Sequence, residues 1–587
     1  MSSTSTINLR INNAKQLIES LQEPANTGYY LVIGKPSVWD DDNSPPEIAN
    51  TVIDSEIEPY REWIYAKKIS SADVSHVIER VTWQSGQVYN QYSDSSISLY
   101  SGDSYYVITD DNNVYKCLYN NNDAPSTVKP TTISVLPFTL SDGYTWKYMY
   151  TIDGVSLTKF ATSGYIPVKT LGDDYTATIN TTSIHIQVGA SIAVNSSIYG
   201  TIDAITINGS NTIVVIDPIS GTFSNNSNVT ITSASGNTTG KIVSLATSDD
   251  GSNQYDVEQA AVNGAIEIID VTSTGIGYNA YTNGVFVTVT NSTVLVLAST
   301  ANTVNGIYTN SSLYVSSGLG VGQVREISNY NGSTKTVTLS SALTVLPNTT
   351  SQYIISPTVR IDGDGSNAVA VASVDVNSNT VINVYMITTG SNYSFANVSV
   401  YANTQHGTDA AARALISPRG GHGKDPVYEL GGDNVMFNTR LVGNDSGNIP
   451  TDFKYRQVFL VKDPVFANGM PATQDSNTYV NLMTRLAITK ANATAYQQYE
   501  EVVGLSSNAS GTIVIGNNSL LQLTGTNGTF TNNEVIVGQT SNATATIQTI
   551  TNPDFRKFSG EVLYVQNFSP VTRATDKTED IKIIQRM

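Results

Sequence analysis

IEIIDVTSTGIGY (266–278) returns in the same chain as VINVYMITTGSNY (381–393), with Gly275 superposed on Gly390 and Tyr278 on Tyr393. Each string opens as an alternating strand, reaches a Thr-Gly turn and is followed by another alternating strand. A repeated strand–turn–strand unit means a duplicated β module. A second pair, GTFSNNSNVTI (221–231) and GTFTNNEVIV (528–537), has alternating strands before it and a Ser/Asn/Ala-rich turn and strand after it. The repeats predict small β modules of about fifty residues placed in two parts of the chain.

Around the first repeat, residues 176–415 are rich in Ser, Thr, Asn, Gly, Val and Ile, with few charges and no Trp. Turn pairs such as Asn208-Gly209 and Asn331-Gly332 punctuate strand-length runs. The whole chain has 587 residues, enough for several domains. Only 14% of it is charged while 40% is hydrophobic, so cores can be buried and solubility rests on neutral polar groups. The net charge of −18 repels phosphate backbones and argues against nucleic-acid binding. The single cysteine, Cys117, permits no internal disulfide. No stretch reads as a signal peptide or a membrane span, so assembly in a cytoplasm without membrane insertion is expected.

Outside the polar modules the sequence is richer in aromatics. Residues 7–22 (INLRINNAKQLIESLQ) place Leu9, Ala14, Leu17, Ile18 and Leu21 at helical spacing. GYYLVIGKP (28–36) reads as a strand, VSHVIERVTW (74–83) as a strand or short helix, and DSYYVITDDNNVYKCLYN (103–120) as a hairpin. YTWKYMYTI (144–152) alternates as a half-buried strand does. Residues 477–499 begin with strand character and end as a short helix. The predicted fold is mainly β: a discontinuous all-β core domain with an N-terminal helix, plus inserted sandwich-like or barrel-like modules. The parts are 1–175, 416–501 and 553–587 for the core, with 176–415 and 502–552 as inserts.

No catalytic, cofactor-binding or metal-ligating constellation is legible. The four histidines, His76, His185, His406 and His422, lack the spacing of a helical zinc pair. His422, in Gly-Gly-His-Gly, is the one most apt for a special role. Gly318, Gly320 and Gly322 have the wrong spacing for a dinucleotide loop and precede another strand pattern. Asp362 and Asp364 lack the later Glu of an EF-hand loop and read as a tight turn. Asp40, Asp41 and Asp42 read as a solvated loop.

Six strings, in order, resemble the dimeric all-β wedge subunit of T4-type phage baseplates: GYYLVIGKPSVW (28–39), VYKCLYNN (114–121), DGYTWKYMYTI (142–152), GYIPV (164–168), YRQVFLVKDP (455–464) and SGEVLYVQNFSPVTRATDKTEDIKII (559–584). GGHGKDPVYELGG (420–432) looks like a signature turn of enlarged members, carried by Gly420, Gly421, His422, Gly423, Asp425 and Pro426. The resemblance spans about half the chain and skips 176–415 and 502–552. It implies a non-enzymatic scaffold in the tail baseplate of a virion, with no cofactor. The implied partners are a second copy of the chain and other wedge proteins, with sheath- or fibre-proximal tail proteins as further candidates. Trp39, Trp63, Trp83, Tyr144, Trp146 and Tyr148 are the candidate core or interface aromatics. The alternatives are a tail-associated adhesion module whose inserts bind host-surface glycans, and a glycan hydrolase, for which no residue pair is selected.

Overall fold

The computed structural model describes residues 6–22, 27–49, 51–95, 105–172, 174–401, 407–472 and 479–587. The architecture is mainly β with an N-terminal helix and closed β rings. Two compact units are present. One combines Met1–Glu79, Gly154–Val168 and Gly431–Met587; the other combines Arg80–Asp153 and Lys169–Leu430.

In the first unit, the helix Ile7–Gln22 buries Ile11, Ala14 and Leu21. Leu9, expected on this face, is 52% exposed; the stripe through 11, 14, 18 and 21 leaves it outside. A five-stranded antiparallel sheet runs in the order Tyr479–Asn481, Trp63–Ile69, Tyr29–Gly34, Lys454–Lys462, Glu561–Thr572. Its central strand is apolar throughout because both faces are covered. Tyr29, Leu31 and Ile33 enter one core, and Tyr30 and Val32 enter another. A four-stranded sheet orders Thr578–Arg586, Asn434–Val442, Val74–Glu79 and Tyr165–Val168. Residues 74–79 are thus a strand, paired on both sides. Asp42 is not merely solvated: its carboxylate takes two hydrogen bonds, at 2.7 and 2.6 Å, from the buried Arg456 guanidinium. Residues 491–499 form no helix; Tyr496 packs instead against the core of a neighbouring barrel.

That barrel is a closed ring of six strands: Thr484–Lys490, Leu520–Asn527, Ser510–Gly516, Glu501–Gly504, Val535–Gly538 and Thr544–Thr551. The second unit holds another: Ser191–Asn195, Ile198–Asn208, Asn211–Ser220, Tyr175–Ile179, Gly236–Thr247 and Asn228–Ser233. Taken in chain order, the strands of the two rings have the same neighbours. The repeated strings fall at equivalent places, with Phe223 and Phe530 buried and Asn226 and Asn533 both left-handed, at φ +67° and +65°.

A finer duplication lies inside the later barrel. Glu500-Glu501-Val502-Val503-Gly504-Leu505-Ser506-Ser507-Asn508-Ala509 matches Glu534-Val535-Ile536-Val537-Gly538-Gln539-Thr540-Ser541-Asn542-Ala543. The halves brace each other reciprocally. The Glu500 carboxylate accepts from the Thr540 and Ser541 N–H groups at 3.0 and 2.8 Å. The Glu534 carboxylate accepts from those of Ser506 and Ser507 at 3.3 and 3.0 Å. Each also accepts at 2.6 Å from a nearby N–H, that of Gln497 for Glu500 and that of Thr531 for Glu534. Burial pushes both acids up, and these donors together outweigh it, leaving each below the usual range.

The second unit also contains a twelve-stranded sheet. Pairing of Ala396–Tyr401 with residues 358–363 closes six of its strands into a ring that includes both copies of the first repeat. The copies clasp one another: Tyr278 N–H donates to Asn379 O at 2.8 Å, and Tyr393 N–H to Gly264 O at 3.1 Å. Gly275 and Gly390 have φ +59° and +63°, and a Cβ on either would stand 2.5–2.6 Å from a neighbouring strand's backbone. Glycine is required at both places.

Glu534→Ala leaves three backbone N–H groups, those of Ser506, Ser507 and Thr531, without their carboxylate. It is expected to destabilise the later barrel by about 2–3 kcal/mol, and Glu500→Ala by a comparable amount. Hydrogen-exchange protection across 484–551 reads both losses, and they should match within a factor of a few if the halves are equivalent.

Candidate functional site

The aromatic sheet of the second unit brings together the least ordinary chemistry among the described residues. Its strands are Tyr106–Ile108, Asn113–Tyr119, Thr145–Thr151 and Phe138–Thr139. The turn of the predicted hairpin falls between the first two. The strand Thr145–Thr151 is buried on both faces rather than half-buried. Its lysine does not reach solvent: Lys147 stands directly opposite Lys116, and each is 1% exposed. Two buried ammonium groups in facing positions repel, so the site demands acids.

The glycine-dense turn supplies one of them. Gly421 has φ +106°, and a Cβ there would lie 2.4 Å from Val262 N, so only glycine lets the turn press this close. Asp425 caps the short helix Pro426–Glu429 by accepting from Tyr428 N–H at 3.0 Å, with Pro426 in the first turn. The helix carries Glu429 inward. Its Oε2 accepts from Lys116 Nζ at 2.8 Å, and its Oε1 accepts from the Gly423 and Asp425 N–H groups at 2.6 and 3.4 Å.

His422 completes the cluster. Its Nδ1 stands 3.0 Å from Lys116 Nζ and 3.5 Å from Glu429 Oε2. Its Nε2 is 3.9 Å from Glu267 Oε2. Tyr92 closes one side, its ring 4.3 Å from Lys116 Nζ and edge-on to His422. Tyr105 closes another, donating to Glu429 O at 2.9 Å. Lys147 donates to Val135 O at 2.5 Å.

Burial pushes the Lys116 and Lys147 ammonium groups below the usual lysine range, against the pull of Glu429 and Glu267. Burial, with Lys116 beside it, holds His422 at about 4, so the imidazole is neutral and Nδ1 accepts from Lys116. Burial lifts Glu267 to about 7. Burial would raise Glu429 too, but the Lys116 charge and His422 hold it down at about 2. The cluster therefore joins a buried amine, a carboxyl whose second oxygen sits on backbone N–H groups, and a neutral imidazole touching both.

Of the residues singled out by sequence, His422, Gly423 and Asp425 lie in this cluster or its cap, with Gly421 and Pro426 shaping the turn. Trp146 and Tyr144 stack in the adjoining core at 5.5 Å, and Tyr148 is buried beside Tyr115. Trp83 is half-buried and donates to Ser126 Oγ. Trp39 and Trp63 belong to the first unit. Trp39 is half-buried and donates to Phe568 O, and Trp63 is buried against Phe459. His185 contacts Ser235 and His76 contacts Gly432 O; His406 lies outside the described residues. Asp364 holds the Ser394–Phe395 turn, and no group of metal-ligating side chains occurs among the described residues. Sequence reasoning missed Lys116, Lys147, Glu267, Glu429 and Tyr92. The available signal was a single lysine in the middle of each of two strands rich in aromatic and aliphatic residues.

No family model matches the sequence, and no curated protein matches it. One solved chain, from a structure titled "Virion of native gene transfer agent (GTA) particle", aligns over 37% of this chain and 76% of its own length. The identity is 14% and the TM-score 0.14, a likeness too slight to carry an argument.

Glu429→Ala strands the Lys116 ammonium in the core; Lys116→Met combined with Glu429→Leu, which strands no charge, should be more stable than Glu429→Ala by about 3–5 kcal/mol in denaturant titration. Glu267 has its folded pKa raised. Its contribution to stability is full below its ordinary 4.5 and is lost as pH rises through about 7. Relative to Glu267→Gln, the native chain should therefore lose up to about 3 kcal/mol across that window.

Proposed function

We propose that this chain is a structural subunit of a phage-type virion, and specifically the dimeric wedge component of a contractile tail baseplate. One observation supports this most. The six resembling strings fall into three sheets, and five of them pair directly with another. Tyr29–Gly34, Lys454–Lys462 and Glu561–Thr572 are consecutive strands of one sheet. Tyr165–Val168 and Thr578–Arg586 belong to a second. Asn113–Tyr119 and Thr145–Thr151 are partners in a third. Within each unit, strings far apart in the chain share a sheet, as parts of a common framework would. The resemblance assigns that framework to a baseplate wedge which joins a second copy and bridges other wedge proteins. On this reading the signature turn 420–432 and the six aromatics serve the framework and its contacts, and 176–415 and 502–552 are additions to it.

The physical character agrees. A permanent assembly part benefits from rigid β modules and few charges to desolvate. One observation favours adhesion as an added role: Tyr385, Phe395 and Tyr401, within 176–415, are 56%, 55% and 42% exposed. Such rings suit the apolar faces of sugars.

The test is native mass of the purified chain, alone and mixed with wedge proteins of the same virion. A dimer of twice 62.9 kDa that enters a larger complex with them is expected. A monomer or trimer that ignores wedge proteins and is retained on host-envelope glycans overturns the wedge reading in favour of adhesion.

A further inference from the structure

We propose that Lys116 and Glu429 become joined by an intramolecular amide bond that the folded chain forms by itself. Every part such a condensation needs is already in contact, and the inference does not depend on the virion reading.

Lys116 Nζ lies 2.8 Å from Glu429 Oε2, which sets the nitrogen beside the carboxyl carbon to which that oxygen is bonded. The opposite oxygen, Oε1, rests on the Gly423 N–H at 2.6 Å and the Asp425 N–H at 3.4 Å. Donors so placed strengthen their hold as negative charge develops on Oε1 in a tetrahedral intermediate. His422 Nδ1 touches both reacting groups, at 3.0 Å from Nζ and 3.5 Å from Oε2. It can take a proton from the nitrogen and return it to the departing oxygen. Glu267, behind the imidazole at 3.9 Å, is a positioning residue.

The step balances without any further reactant. One proton passes from the Lys116 ammonium along its hydrogen bond to Oε2, giving an amine and a carboxylic acid with no change of net charge. The nitrogen lone pair attacks Cδ. A second proton leaves Nζ through His422 Nδ1 to the Oε2 hydroxyl, the Cδ–Oε2 bond breaks, and water departs. Nζ keeps one hydrogen, and nothing is oxidised or reduced.

In water this condensation is opposed by the stability of separate ammonium and carboxylate ions. Here Lys116, His422 and Glu429 are each 3% exposed or less. Low dielectric narrows the gap between ion pair and neutral pair, and a neutral amide relieves the cost of two buried charges. Fixed contact between the groups replaces a bimolecular encounter, a gain equivalent to effective concentrations of about 10⁵ M or more in well-oriented systems. The bond would tie the strand Asn113–Tyr119 to a helix 313 residues away along the chain.

The experiment is mass spectrometry of the full-length folded chain, denatured before injection, with peptide mapping after proteolysis. The native chain should be lighter than its sequence mass by one water and should yield a branched peptide joining Lys116 to Glu429. Lys116→Arg should retain its full mass. Glu429→Gln should lose ammonia instead and reach the same product mass as the native chain. His422→Ala should slow the reaction so that uncross-linked chain accumulates. Chain kept in denaturant from lysis should carry full mass and lose water only after refolding, at a rate independent of its concentration. A native folded chain at full sequence mass, with Lys116 and Glu429 in separate linear peptides, overturns the proposal. So does a water loss mapped to any other position.

Discussion

A β-strand must not be left with an open edge, and this chain has few of the usual means to guard one. Edges are commonly blunted by lysines and other charges, yet only 14% of these residues are charged. The alternative is to close strands into rings, and both units adopt it in part, beside open five- and four-stranded sheets. Strands 484–551 and 175–247 close into six-membered rings, and six strands of the twelve-stranded sheet close through the pairing of 358–363 with 396–401. Low charge and closed rings are one solution seen at two levels.

Most of the charges lie at the surface, but several of the few that are buried or half-buried hold the fold together from inside. Glu500 and Glu534 gather turn N–H groups. Glu258 does the same for Leu171 and Gly172, and Asp142 for Thr127, Val128 and Tyr144. In each case one carboxylate organises a turn that the neutral side chains around it could hold only weakly. The Lys116–Glu429–His422 cluster differs in kind. Its acid faces an amine as well as backbone donors, in a core otherwise built of tyrosine and tryptophan.

Much of the fold was legible in the sequence because it rests on periodicity. The helix 7–22, the strands 29–34 and 454–462 and the hairpin around Asp110 all announce themselves by spacing. The repeats at 266 and 381 sit in one ring, and those at 221 and 528 in two rings of the same topology. The failures have physical causes. Residues 145–151 alternate, yet both faces are buried, because the Lys147 ammonium finds the Val135 carbonyl and the field of Glu267 and Glu429, none of them adjacent in sequence. Asp42 looked solvated because Arg456 is far along the chain. The cluster itself is drawn from strands, a turn and a helix spanning residues 92–429, so no local pattern could assemble it. Only His422, lodged between glycines, stood out. Barrel-like modules were expected and closed rings are present; which strands seal them was not legible, since alternation marks a strand but not its neighbour.

The reciprocal bracing of the later barrel has a consequence for its cooperativity. Each carboxylate holds the backbone just before it, through Gln497 or Thr531, and also the turn of the other half. Each acid therefore serves two places at once, one near in sequence and one far. Loosening either turn withdraws a partner from the acid that also fixes the other half. The two halves are thus tied to a common fate, and the barrel opens as one unit rather than half by half.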